Sequence, residues 1–258
     1  MFSFDKGKEI AKIIGGENDG EILHLMEPNK NTNVRKKIDR ILLDKNEHFE
    51  IIPDSNMSQV IYCAGARASG KTTFCLQYIK NYLKMNKGKD FYLFSRTNFE
   101  DDPAYKKLKL IPMQIELDED LVDNPIDITK HIKNGCIIFF DDCHTVHNDK
   151  IRKEIDKLMK DIIEVGRKLK ITIVISNHLI IPDERKIARC ILNELTLLCV
   201  FPRSGSSQQI GYCLTKYFDY TKYQVEEFTK KNMDTRWVCF YKDYPKIVVS
   251  ENQAIIPK

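Results

Sequence analysis

Gly65-Ala66-Arg67-Ala68-Ser69-Gly70-Lys71-Thr72 follows directly on the apolar run Val60-Ile61-Tyr62-Cys63-Ala64. The eight residues fit G-x-x-x-x-G-K-[ST], a strand-to-helix loop whose composition is set by phosphate chemistry. Glycines let the main chain come close, successive backbone N–H groups wrap a β-phosphate, and the helix N-terminus that follows favours an anion. Lys71 is expected to reach the β- and γ-phosphates, and the Thr72 hydroxyl to ligate Mg²⁺. The expected nucleotide-binding residues are therefore Gly65, Ala66, Arg67, Ala68, Ser69, Gly70, Lys71, Thr72 and Thr73. Residues 73–85 carry Phe74, Leu76, Ile79 and Leu83 at helical spacings, so a helix leaves the loop. A glycine-rich turn without a ligand is the alternative, and the strand before and helix after count against it.

The chain has 258 residues, 42% of them hydrophobic, enough for one sizeable α/β core or a core with an extension. Its 41 basic and 37 acidic residues give a net charge of +4. That balance is compatible with a polyanionic partner but too even to demand one. Eight cysteines lie mostly inside apolar runs with no C-x-x-C pair, and they read as reduced core thiols of a cytosolic protein. The N-terminus lacks the apolar stretch of a signal peptide, and runs such as 195–201 are too short to span a bilayer. The expectation is a soluble intracellular protein without a membrane partner.

Residues 1–57 are charged and mixed, with a possible strand at 21–26 and a helix expected at 34–43. They read as an N-terminal extension packed on a P-loop domain at 58–258, and residues 28–33 as a flexible connection. Beyond the loop and its helix, strands are expected at 90–95, 113–117, 136–142, 171–176 and 195–201, with a long amphipathic helix at 149–168. Strands alternating with helices imply a mostly parallel sheet flanked by helices. The end of the chain reads as helices at 208–217 and 223–230, then a hairpin of 237–241 with 246–250.

The run Cys136-Ile137-Ile138-Phe139-Phe140 ends in Asp141-Asp142. An acid at the carboxyl end of a central strand lies where an open α/β sheet puts its ligand. Asp141 is thus the expected Mg²⁺ carboxylate, acting through water, and Asp142 the base that orients or polarises the attacking water. The alternative is a pair of acids capping the next segment. A strand intervening between the loop and these acids, with an acid after the metal-binding one, favours a hydrolysing NTPase over a small-molecule kinase. No N-K-x-D is present, so ATP is expected rather than GTP. Asn177 ends the strand at 171–176, either as a polar sensor of the γ-phosphate or as a turn asparagine. Arg167 closes the preceding helix, either as an arginine finger for a neighbouring subunit or as a cation favoured by the helix C-terminus. Cys143, His144 and His147 match no common zinc spacing and read as a loop after the acids.

The chain resembles the genome-packaging ATPases of large double-stranded DNA viruses and virophages, a branch of the FtsK–HerA superfamily of DNA-pumping motors. The resemblance spans about residues 58–250. It is carried by GARASGKT, FYLFSR, IIFFDD and DIIEVGRKLKITIVISNH, with FPRSGSSQQIGYCLTKYF and RWVCFYKDYP shared with the viral branch. It implies a RecA-like core that hydrolyses ATP with Mg²⁺ and drives double-stranded DNA into a capsid. It further implies a pentameric or hexameric ring of identical subunits, capsid proteins as candidate partners, and a place in the host cytoplasm and the virion. The bacterial motors usually carry Asp-Glu where this chain has Asp141-Asp142, and commonly Gln at Asn177. A helicase or remodelling ATPase, and a non-catalytic nucleotide-gated assembly module, are the alternatives. The loop from Cys143 to Lys150, with Lys150 and Arg152 as its nearest cations, is the expected DNA contact; a solvated basic loop is the alternative.

Overall fold

The computed structural model describes residues 1–26, 38–54, 56–181, 185–231 and 235–257. The expected connection at 28–33 lies outside them. The chain divides into two compact units, Ser55–Leu198 and a unit made from both chain ends, Met1–Asp54 with Cys199–Lys258. The segment after Leu198 groups with the N-terminal segment in one of these units.

In chain order the first elements are β1 (Phe2–Ser3), β2 (Lys8–Ile14), β3 (Ile22–Leu25), β4 (Arg40–Leu42) and β5 (His48–Ile51). Four of them form an antiparallel sheet in the order β1-β3-β2-β5. In β2 a bulge between Glu9 and Ala11 breaks the alternation, and Ile10 and Ala11 are both buried. The helix expected at 34–43 is corrected in its described part. Residues Arg40 to Leu42 pair antiparallel with Ile255 to Gln253 as strand β4. The apolar spacing of Ile38, Ile41 and Leu42 suits a helix, but a partner strand from the far end of the chain takes up the backbone groups, and pairing overrides local preference.

The second unit runs β6 (Val60–Ala64), α1 (Lys71–Met85), β7 (Phe91–Ser95), α2 (Pro103–Leu108), β8 (Met113–Ile115), α3 (Asp120–Asp123), α4 (Ile128–His131), β9 (Ile137–Asp141), α5 (Asp149–Val165), β10 (Thr172–Asn177) and α6 (Arg185–Glu194). Its strands lie in the order β6-β10-β9-β7-β8, and every neighbouring pair is parallel. Every residue of β6, β7 and β10 is buried, as expected of strands covered on both faces. Phe94 and Phe140 stack across adjacent strands at 4.6 Å between ring centroids. Asn148 caps α5 by accepting from the Lys150 and Ile151 amides, and Ile151, Ile155, Leu158 and Ile162 form its buried face. The helix stops at Gly166, where an added Cβ would run into the Ile162 carbonyl oxygen, so the close approach of the backbone favours glycine there.

The chain then passes through β11 (Leu197–Val200), α7 (Ser207–Tyr217), α8 (Lys222–Lys231), β12 (Val238–Tyr241), β13 (Val248–Ser250) and β14 (Gln253–Ile255). The expected closing hairpin is present as β12 paired antiparallel with β13, and β14 extends it. All eight cysteines are free thiols, and all but Cys190 are buried. No helix among the described residues is long and apolar enough to cross a membrane.

Candidate active site

The loop at 65–70 leaves β6 with the Gly65 amide still paired to the Asn177 carbonyl at 3.1 Å. It then turns through two left-handed residues, Ala68 at φ 60° and Gly70 at φ 100°. A left-handed alanine costs on the order of 1–2 kcal/mol, strain of the kind that collects at ligand sites. Gly70 caps α1 without a side chain, so no side-chain cap serves the first-turn amides. The Ser69 hydroxyl is buried without a hydrogen-bond partner among the described residues. Unserved amides at a helix start and an orphaned hydroxyl in a strained loop are the donors a phosphate would satisfy.

Lys71, the first residue of α1, is only 5% exposed. Its ammonium donates to the Ala66 carbonyl at 3.2 Å and lies 4.0 Å from Asp142 Oδ2. Thr72 is half-buried and Thr73 exposed. Opposite them, Asp141 ends β9 and Asp142 reverses the chain at φ 47°. Ser176 of β10 ties the two acids together. Its hydroxyl donates to Asp141 Oδ1 at 2.7 Å, lies 3.1 Å from Asp142 Oδ1, and accepts the Asp142 amide at 3.0 Å. His178 Nε2 lies 3.1 Å from Asp142 Oδ2. Ser176 and His178 are two residues apart at a strand end, so both can face the acids while Asn177 points the other way.

Asn177 is buried, and its side-chain oxygen accepts the Leu179 amide at 3.0 Å, which is the turn role weighed against the sensor role. Arg167 is exposed just beyond α5. Because α5 returns from the carboxyl end of β9 to the start of β10, Arg167 belongs to the amino end of the parallel sheet. A six-residue strand separates that end from the loop, about 20 Å. The structure does not bring Arg167 to the loop of its own chain. Cys143, His144 and His147 do not assemble either: the Cys143 thiol is buried and donates to the Phe94 carbonyl at 3.2 Å, while both histidines are exposed. Sequence reasoning missed Ser176, His178 and Arg96. The last follows β7 and donates from Nη1 to the Thr145 carbonyl at 2.7 Å, holding the turn after the acids. The one signal available for the first two was the alternation Ser-Asn-His at the end of an apolar strand.

Thr72 and Asp141 suit Mg²⁺ as donors, a hydroxyl and a carboxylate at facing loop and strand ends. Burial, with smaller contributions from Asp142 and Asp102, raises the Asp141 pKa to about 6 against the opposing pull of Ser176 and Lys71. A cation must therefore displace a proton at mildly acidic pH. With Mg²⁺ held by Asp141, nucleotide binding would weaken as pH falls through 6, approaching about tenfold per unit below it. Nucleotide titrations from about pH 5 to 8, with Mg²⁺ and with chelator, check this. A difference between the two that is flat with pH would remove Asp141 from the metal site.

The family model described as AAA domain matches residues 57–196, more than half of the chain. The chain belongs to the AAA domain family. It is 31% identical over 247 residues to uncharacterized protein V3 of Sputnik virophage, covering 96% of this chain and 94% of that protein. The fold is accordingly that of an α/β P-loop NTPase. Solved structures similar to this AAA domain chain include the DNA-packaging ATPase B204 from Sulfolobus turreted icosahedral virus, 12% identical, with 76% of this chain and 98% of that one covered and a TM-score of 0.49. Another is the pCW3 conjugation coupling protein TcpA, 16% identical, with 96% and 77% covered and a TM-score of 0.45. Similarities this distant do not bear on activity.

Proposed function

We propose that this chain is an Mg²⁺-dependent ATPase that translocates double-stranded DNA in viral genome packaging, acting as a ring of identical subunits. The observation that carries the hydrolytic part is the pairing of a phosphate loop with two acids tied by one serine. Lys71 would exchange the Ala66 carbonyl for the β/γ-phosphates, and the amides of residues 70–73 at the start of α1 would wrap them. Bound Mg²⁺, held by Thr72 and through water by Asp141, would neutralise phosphate charge. Asp142, oriented by Ser176 on one oxygen and His178 on the other, would accept the proton of the attacking water at Oδ2. Asn177, on the opposite side of the strand end from the acids and bonded through its side-chain oxygen to the Leu179 amide, would hold the turn after β10. Packaging is supported by the motifs shared with viral packaging ATPases and by kinship with a virophage protein.

A motor that grips duplex through its backbone should be stimulated by DNA of any sequence, less by single strands, and less as salt rises, because phosphate contacts release counterions. ATPase rate against duplex length and salt, on a sized oligomer, tests this, with Lys150→Ala and Arg152→Ala in parallel. Both cations lie in the first turn of α5; Lys150 is exposed and Arg152 pairs with Asp149 at 2.7 Å. A rate indifferent to duplex at low salt, in a confirmed ring, would overturn translocation and favour a nucleotide-gated assembly module. Strand separation in the same assay would favour a helicase.

Arg167 can serve a nucleotide only in trans. Mixing Arg167→Ala subunits with Lys71→Ala subunits should then restore some hydrolysis, where the intact Arg167 of one meets the intact loop of the other. No recovery at any ratio, with mixed rings confirmed, returns Arg167 to a helix-terminal cation.

A further inference from the structure

Asp142, His144 and His178 gather at the carboxyl end of the sheet from two places: the turn after β9, where Asp142 opens the short 3-10 segment Cys143–Thr145 that carries His144, and the residue after β10. One ligand atom from each lies within 4.8 Å of the other two. His178 Nε2 is 3.1 Å from Asp142 Oδ2, and the two imidazoles meet edge to face at 4.8 Å between centroids. The Asp142 and His178 side chains are about one-third exposed, at 32% and 36%, and His144 is exposed. A solvated ion can therefore reach all three.

We propose that these residues form a second cation site, distinct from the Mg²⁺ position at Thr72 and Asp141, that takes a first-row transition dication such as Zn²⁺. Two imidazoles and one carboxylate suit such an ion, whereas Mg²⁺ favours oxygen ligands. Zinc holds nitrogen and oxygen ligands at about 2.0–2.2 Å and fills a fourth position with water. Tetrahedral ligands at that radius stand about 3.4 Å apart, so the set has to contract by a little over an ångström. Rotation of the exposed His144 ring supplies that movement, while Asp142 and His178 already lie close enough.

The consequence for turnover rests on the role proposed above for Asp142. An ion at this site would occupy Oδ2, the same atom that faces His178 and lies nearest Lys71. The carboxylate would then be unable to accept a proton from water, so the ion would inhibit hydrolysis without competing for Mg²⁺. Loop position alone does not suggest such a site, because His178 arrives from a different strand, well beyond His144 in sequence.

The test is calorimetric titration of the nucleotide-free full chain with Zn²⁺ in excess Mg²⁺, repeated with Co²⁺ to read the visible absorption of a low-coordinate ion. One ion per chain is expected. His144→Ala and His178→Ala should each weaken binding by more than about tenfold, the loss that removing even an outer-shell partner brings. Lys71→Ala, which cannot turn over ATP on the reading above, should bind at least as tightly, since a cation 4.0 Å from Asp142 is gone. Absence of binding, or binding that survives both histidine substitutions, overturns the site. In the ATPase assay Zn²⁺ should inhibit the wild type and lose potency against His144→Ala. Binding through the histidines with hydrolysis unaffected would keep the site and overturn Asp142 as the base, so the two readings fail separately.

Discussion

Lys71→Ala should abolish ATP turnover, with a loss of at least about 10²–10³-fold, the cost of removing one preorganised charge-stabilising donor. Lys71 is a buried cation at the start of α1 that among the described residues meets a carbonyl at 3.2 Å and an acid at the 4.0 Å limit of an ion pair. Such weak partnering leaves the desolvation of the ammonium poorly compensated by protein groups. Its removal should therefore leave the melting temperature unchanged or slightly raised while hydrolysis disappears. The pair of measurements is an ATPase assay and a thermal melt on the same preparation. Full activity in a folded variant would remove the phosphate-loop assignment; a collapsed melt would mean that Lys71 supports the fold instead of the ligand.

The second large effect separates the two acids. Asp142→Asn keeps the side-chain shape and an oxygen for Ser176 but loses the proton acceptor facing His178. It should bind ATP with Mg²⁺ and stall, with turnover down by about 10²–10⁴-fold. Asp141→Asn should instead weaken Mg²⁺-dependent binding, because this carboxylate ends β9 beside the loop and accepts from Ser176 through Oδ1. Filter binding of labelled ATP with and without chelator, alongside single-turnover hydrolysis, distinguishes them. If both variants lose binding equally and neither traps ATP, the acids do not divide the work in this way. Ser176→Ala gives an internal comparison, since it unties both acids at once and should disturb binding and turnover together.

The phosphate loop, the strand entering it, the helix leaving it and the acids at the end of β9 were legible because each is a local pattern. Loop glycines answer to backbone torsion, buried strands read as unbroken apolar runs, and α5 shows its apolar face at helical spacing. The acids' partners were not legible, because Ser176 and His178 lie 34 to 36 residues from Asp141 and Asp142. They meet only because β10 lies between β6 and β9 in the sheet, and strand order is a long-range outcome that no local period encodes. The same holds for Asn177: alternation places it opposite its two neighbours, but only the folded strand end shows its side chain spent on the Leu179 amide. Arg167 reads as a finger or a helix-terminal cation in sequence; the direction of α5 along a parallel sheet sends it to the far end. At the chain ends the tertiary structure decided most. Arg40 to Leu42 become a strand only because Gln253 to Ile255, from the opposite end of the chain, supply the hydrogen bonds that a helix would have closed within itself.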